Sequence, residues 1–199
     1  PAFGDLDGDG DEDLLVGERF GSLFYAENIG GAGNPFEPNF ISPQWKSIDI
    51  GQFSAPQIAD LNRDSLPDLL IGDRFGNLNF FPNIGSIDSP EFHSNPDEAP
   101  NNSEFGNIDV SNPFTQIGHS VPYLIDLGDE FVLLVGTESG ATYFYQFNSD
   151  EINDEILPVS ENWGETKRKV GLFAKPALTD LNSDGLFDFV VGNIRGGLT

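Results

Sequence analysis

The chain has 199 residues, a length that fits one domain or part of a larger one. Its 33 acidic residues against 9 Lys and Arg give a formal charge of −24, which repels a phosphate backbone or an anionic membrane surface and excludes nucleic acid as a partner. With 38% hydrophobic residues and 18 Phe it carries too many rings for an acidic disordered tail, so the acid must sit on a folded scaffold with a core.

In chain order, the first feature is DLDGDGDEDLLVG at 5–17, five aspartates in nine positions followed by an apolar run. After it come the alternating strand SLFYAEN and a segment rich in Pro, Asn, Ser and Gly over 31–54, within which KSIDIG reads as an outer strand. The pattern returns as DLNRDSLPDLLIG at 60–72, with the strand NLNFFPN and a connecting segment 86–119 containing GNIDVS. A damaged copy, DLGDEFVLLVG at 126–136, precedes ATYFYQFN and a third insertion, 149–169, acidic at its start and basic at KRK, which reads as a solvated loop. The last copy, DLNSDGLFDFVVG at 180–192, stops at GGLT.

The leading aspartates Asp5, Asp60, Asp126 and Asp180 are 55, 66 and 54 residues apart, a period that suits one four-stranded propeller blade. Each apolar strand ends in Gly, with a second Gly four residues on (Gly17 and Gly21, Gly72 and Gly76, Gly136 and Gly140, Gly192 and Gly196), as tight hairpins require. No window of a dozen residues keeps a helical apolar period free of Gly and Pro. The expected fold is all-β: a β-propeller segment of about four blades of four-stranded antiparallel sheet, at roughly 1–54, 55–119, 120–174 and 175–199. The last blade is incomplete. The chain lacks Met and opens on Pro1, which marks it as a piece of a longer protein whose targeting signals lie elsewhere.

In the first acidic loop, positions 1, 3, 5 and 9 are Asp5, Asp7, Asp9 and Asp13, with Asp11 at position 7. Alternating oxygen ligands around a turn, with a backbone carbonyl at position 7, are how a hard cation such as Ca²⁺ gathers its oxygens from one short loop. The second copy offers Asp60, Asn62, Asp64 and Asp68 with Leu66 at the carbonyl position, and the fourth Asp180, Asn182, Asp184 and Asp188 with Leu186 there. An EF-hand needs a Glu at position 12, where Val16, Ile71 and Val191 stand, and would continue into a helix rather than an apolar strand. A plain Asp-Gly turn would not need aspartate-type residues at the same four offsets three times. Position 6 calls for a positive φ; Gly10 and Gly185 suit it, whereas Ser65 costs about 1 kcal/mol and makes the second site the weakest. Three Ca²⁺ ions are therefore expected, with the shortened third loop at Asp126 empty.

These loops, together with GQFSAP at 51–56 and RFG at 19–21 and 74–76, resemble the FG-GAP and VCBS-type repeats of integrin α-subunit heads and large bacterial surface proteins. The wider pattern is similar to repeats in secreted proteins of gliding and polysaccharide-degrading bacteria. The resemblance implies a β-propeller of about seven blades, export to the cell surface, and a protein or glycan ligand there beside the remainder of the parent chain.

Nothing in the sequence builds a catalytic centre. There is no Cys, which removes thiolate catalysis and Cys-based zinc sites, and the two histidines, His93 and His119, lie in connecting segments away from any nucleophile-elbow serine. Aspartates committed to Ca²⁺ make poor general acids. No apolar run approaches the roughly 18 residues of a membrane-spanning helix; FVLLVG at 131–136 is strand-sized. The reading is a non-enzymatic, calcium-binding scaffold for adhesion or ligand binding. The alternative is a carbohydrate-binding accessory domain or propeller platform of a polysaccharide-active enzyme, with Trp45 or Trp163 as sugar-stacking candidates unless they anchor loops.

Overall fold

The computed structural model describes residues 1–166 and 171–196, so the KRK stretch at 167–169 and the final 197–199 lie outside the described residues. Twelve strands are described, all paired antiparallel, and the chain is all-β. The first sheet holds β1 (Ala2–Gly4), β2 (Asp13–Gly17), β3 (Leu23–Asn28) and β4 (Pro38–Ser42) in that order. The second holds β5 (Ala55–Ala59), β6 (Asp68–Gly72) and β7 (Leu78–Phe81); the third β8 (Val121–Asp126), β9 (Phe131–Gly136) and β10 (Thr142–Phe147); the fourth β11 (Lys175–Thr179) and β12 (Asp188–Gly192). One sheet thus forms per repeat of the sequence.

Register fixes the acidic loops. The last pairs before them are Gly4 with Asp13, Ala59 with Asp68, and Thr179 with Asp188, so each loop spans the eight residues between. In the third copy Asp126 itself pairs with Phe131 and only 127–130 remain outside the ladder, which is the physical form of the two-residue deletion.

The sheets follow one another in series. Strand β1 lies beside β5, β5 beside β8, and β8 beside β11, so the first strands line one side of the array. Between the first two sheets a core forms from Leu6, Leu15, Tyr25 and Trp45 on one side and Leu69, Ile71 and Phe81 on the other. Between the second and third, Leu70, Leu78 and Phe105 meet Phe131, Leu133 and Phe147. Alternate residues of β6 therefore enter different cores, and its continuous run of apolar residues is buried on both faces.

Backbone contact joins the sheets at the hairpins. A Cβ on Gly17 would lie 2.0 Å from the Ser54 carbonyl oxygen, one on Gly72 2.2 Å from that of Ser120, and one on Gly136 2.1 Å from that of Ala174, so these three glycines are required by close approach rather than by their dihedrals. The Ser54 hydroxyl accepts from the Glu18 amide at 2.8 Å and donates to the Ser22 carbonyl at 2.7 Å. Ser120 repeats this between Asp73 and Asn77 at 2.9 and 2.6 Å. At the third junction the equivalent residue is Ala174, and Thr137 supplies the hydroxyl from the hairpin side, donating to the Ala141 carbonyl at 3.1 Å.

The outer strands expected at KSIDIG and GNIDVS differ in the structure. Trp45–Ser47 and Phe105–Asn107 form 3-10 turns, with Lys46 and Gly106 in the left-handed region, and sheet contact is reduced to single bridges from Asp49 to Ser22 and from Asp109 to Asn77. A buried aromatic drives this: Trp45 and Phe105 plunge into the core, and the turn returns the chain so that Ile48 and Ile108 are buried too. The fourth strand of the first sheet is instead Pro38–Ser42, and bridges at Asn102 and Ser160 stand in its place on the next two sheets. Trp45 is 6% exposed and stacks on Tyr25 at 5.1 Å, so it is a core anchor and not a sugar platform. Trp163 is half-buried between Phe144 and Phe189.

Candidate metal loops

The leading aspartate organises each eight-residue loop from within. Asp5 accepts the Gly8 amide at 2.7 Å on one oxygen and the Gly10 amide at 3.1 Å on the other. Asp60 likewise accepts from Asp64 and Ser65, both at 3.0 Å, and Asp180 from Asp184 and Gly185 at 3.1 and 2.8 Å. The position-5 carboxylates then accept the position-7 amides: Asp9 that of Asp11 at 3.0 Å, and Asp64 and Asp184 those of Leu66 and Leu186 at 2.9 Å. Position 6 is left-handed throughout, with φ of 92° at Gly10, 72° at Ser65 and 83° at Gly185. Three loops of different composition thus share left-handed residues at positions 4 and 6, and their Asx-type side chains capture the same position-6 and position-7 amides, although the leading aspartate also takes the position-4 amide of Gly8 in the first loop and the position-5 amides of Asp64 and Asp184 in the others.

In the first loop Asp5, Asp7 and Asp9 converge, each offering a carboxylate oxygen within 4.8 Å of the others. Burial, with the charges of Asp13 and Asp9, pushes the Asp7 carboxyl up to about 6. Asp11 is buried, neither of its oxygens has a hydrogen-bond partner among the described residues, and burial together with Asp9 raises its pKa. In the second and fourth loops an amide replaces the central carboxylate: Asn62 and Asn182 each donate to the neighbouring Asp64 or Asp184 at 3.0 Å. The first loop therefore has the largest excess of unneutralised oxygen. Such a donor set suits a hard divalent cation.

The position-9 aspartates sit deeper. Asp13 and Asp68 are fully buried, and their carboxylates accept the position-2 amides of Leu6 and Leu61 at 3.1 and 3.0 Å, as Asp188 accepts that of Leu181 at 2.9 Å. Their second oxygens accept the amides of Asn28 and Asn83, at 2.9 Å in each case, tying the loop to the third strand's exit. Asp13 also accepts from the Tyr25 hydroxyl at 2.9 Å, and burial, then Asp13, raises the Tyr25 pKa. Burial outweighs the amides at Asp68 and pushes its carboxyl up to about 7.

The third loop is built differently. The Arg63 guanidinium reaches across from the second loop, bonds both oxygens of Asp126, donates to the Gly128 carbonyl at 2.9 Å and stacks over the Phe131 ring at 4.1 Å. A side-chain cation neutralises the carboxylate that the other loops leave to their own amides.

Residues 5–71, from the first acidic loop into β6, match the family model of the FG-GAP-like repeat. This stretch is similar to an FG-GAP-like repeat. No curated protein matches the chain. The matched stretch contains the first two acidic loops and the junction at Ser54. The third and fourth sheets repeat its hairpins and its junction, with the hydroxyl moved to Thr137.

One feature escaped the sequence reading. Phe53, His119 and Phe173 occupy the same place before Ser54, Ser120 and Ala174, and their rings meet: Phe53 lies 4.7 Å from His119, and His119 lies 5.1 Å from Phe173. The recurring aromatic, small residue, any residue, Pro in FSAP, HSVP and FAKP was the available signal.

Proposed function

We propose that the chain is a calcium-binding segment of a β-propeller, one blade per sheet, that serves as a non-enzymatic scaffold for adhesion or ligand binding in a secreted, cell-surface protein of bacterial type. The convergence of Asp5, Asp7 and Asp9 carries the metal half of this reading, since three like charges so close favour an ion that neutralises them. The donors of the first loop would be Asp5, Asp7, Asp9 and Asp13 with the Asp11 carbonyl. Those of the second would be Asp60, Asn62, Asp64 and Asp68 with the Leu66 carbonyl, and of the fourth Asp180, Asn182, Asp184 and Asp188 with the Leu186 carbonyl. Bound calcium would supply charge neutralisation and loop rigidity, not chemistry.

The propeller half is supported by the serial packing of sheets along their first strands and by the burial of β6 on both faces. Isothermal titration with calcium after chelation tests the proposal: three sites are expected, and zero or four would overturn the loop-by-loop assignment.

A further inference from the structure

We propose that the end of the array opposite the acidic loops is a binding site for an anionic sugar unit of the hexuronate type. The inference rests on the scaffold reading and names its ligand, but it does not depend on calcium. A cavity of about 350 Å³ opens there, where the starts of β5, β8 and β11 meet the β2–β3 hairpin, within the range of small-molecule sites. Phe53, His119 and Phe173 line it, with Arg19 and Lys175.

The rings are placed there at a cost. Each of the three has a positive φ (58°, 48° and 59°), which a bulky side chain adopts only when its surroundings impose it. Each amide is bonded to the preceding hairpin: Phe53 to the Arg19 carbonyl at 3.1 Å, and His119 and Phe173 to those of Arg74 and Glu138 at 3.0 Å. Three copies of one strained turn thus bring the rings into contact along one side of the cavity, Phe53 edge-on to His119 and His119 tilted against Phe173, which gives the C–H face of a sugar ring aromatic surface to pack on.

Charge points the same way. In a chain of −24, four of the six described bases gather at this end: Arg19, Arg74 and Arg195 in the hairpins and Lys175 at the start of β11. Arg74 bonds Gln52, whereas Arg19 and Lys175 have no side-chain hydrogen bond or ion pair among the described residues. Glu18, the acid lining the cavity, folds back onto its own hairpin, accepting from the Ser22 amide and hydroxyl at 3.2 and 3.0 Å. Two free cations beside this aromatic cluster fit a carboxylate carried on a ring. An acidic peptide would answer the cations and leave the rings in water.

His93 and His119 are the two histidines of the chain, so selective labelling of His ring carbons gives one probe in the cavity and one control outside it. The chain is titrated at fixed free calcium with a uronate trisaccharide too short to gel, its neutral counterpart, and a tetraglutamate peptide. The uronate should shift the His119 signal saturably and leave His93 unmoved, and the neutral sugar should need about tenfold more. Arg19→Gln with Lys175→Gln should weaken uronate binding about ten- to hundredfold with His93 unchanged, which also reports that the fold is intact. An unmoved His119, equal binding of the neutral sugar, or tighter binding of the peptide overturns the proposal, the last by assigning the cavity to an acidic protein. A chain that binds three calcium ions but leaves His119 unmoved keeps the scaffold reading and loses this one; the reverse result loses the calcium loops alone.

Discussion

Arg63, at the tip of the second acidic loop, holds Asp126 on β8 through both carboxylate oxygens, at 2.8 Å for one of them, and so fastens the second repeat to the third. The pair is partly exposed, so its worth is modest: about 1 kcal/mol, with stacking on Phe131 included. Arg63→Gln should lower the unfolding free energy by that amount equally with calcium and with chelator. If calcium restored the loss, the third loop would be holding an ion in place of the guanidinium.

Calcium affinity should differ among the loops for reasons of backbone and charge. Ser65 holds φ at 72° where the other loops use glycine, so Ser65→Gly should remove strain and tighten the second site about fivefold, from about 1 kcal/mol. Asp11→Asn should stabilise the chelated protein, because it removes a buried carboxylate without a partner, while leaving the position-7 carbonyl in place. Thermal melts of Asp11→Asn in chelator check this; a lower midpoint would show that the Asp11 charge is compensated.

The pH dependence of the chelated protein is a balance: Asp7, Asp11 and Asp68 are raised and favour low pH, Asp126, Glu18 and His119 are lowered and oppose them, and the large shifts are those of Asp7 and Asp68. Asp7 and Asp68 are pushed up to about 6 and about 7, chiefly by burial, so the folded state binds their protons more tightly than the unfolded chain. Their contribution is complete below the ordinary carboxylate range and is lost as pH rises through 6 to 7. Arg63 depresses Asp126, whose contribution is present above the ordinary range and lost as pH falls through its lowered value. Stability in chelator should peak near pH 4 to 5 and decline toward pH 8, and calcium should abolish the upper decline by favouring the charged carboxylates. A chelated midpoint that rises from pH 5 to pH 8 would contradict the burial of Asp68.

Much of this was legible because loops and hairpins are local. The alternation of Asx side chains and the glycine pairs each determine a turn through contacts within a few residues, so sequence spacing translated directly into the loops around Asp5, Asp60 and Asp180. The outer strands were misread because KSIDIG alternates like a strand, while the buried ring of Trp45, a long-range demand, bends it into a turn. The partner of Asp126 and the cluster of Phe53, His119 and Phe173 join residues tens of positions apart, and no local pattern encodes such meetings.

The exchange of hydroxyls at the sheet junctions makes a test in which one change repairs another. Ser120 is buried, and its hydroxyl accepts from the Asp73 amide and donates to the Asn77 and Asp73 carbonyls, so Ser120→Ala should cost about 1–3 kcal/mol. Thr137→Val should cost about 1 kcal/mol at the third junction, and adding Ala174→Ser should recover most of it by restoring the arrangement of the other two. Denaturant unfolding of the single and double variants measures the coupling; additive losses would mean that the two positions do not share one role.

The two end sheets lack what β6 has. Leu69, Leu70 and Ile71 are each no more than 1% exposed, because a sheet covers each face. The outward face of the first sheet presents Leu14, Val16 and Phe24 around a shallow hollow of about 160 Å³, with Phe24 39% exposed, and the fourth repeat exposes Leu181, Leu186 and Phe187. The same apolar run that fills a core in the second sheet meets water in the first, an arrangement that favours association. Sedimentation should show concentration-dependent self-association of the chain, reduced by Phe24→Ser with Val16→Thr at little cost to the unfolding midpoint, since neither side chain is fully buried. A chain extended by one further copy of the sheet at either end should associate less and melt higher. Equal stability of the extended and original chains, with both monomeric, would mean that these faces need no neighbour and would favour a compact ring of four sheets.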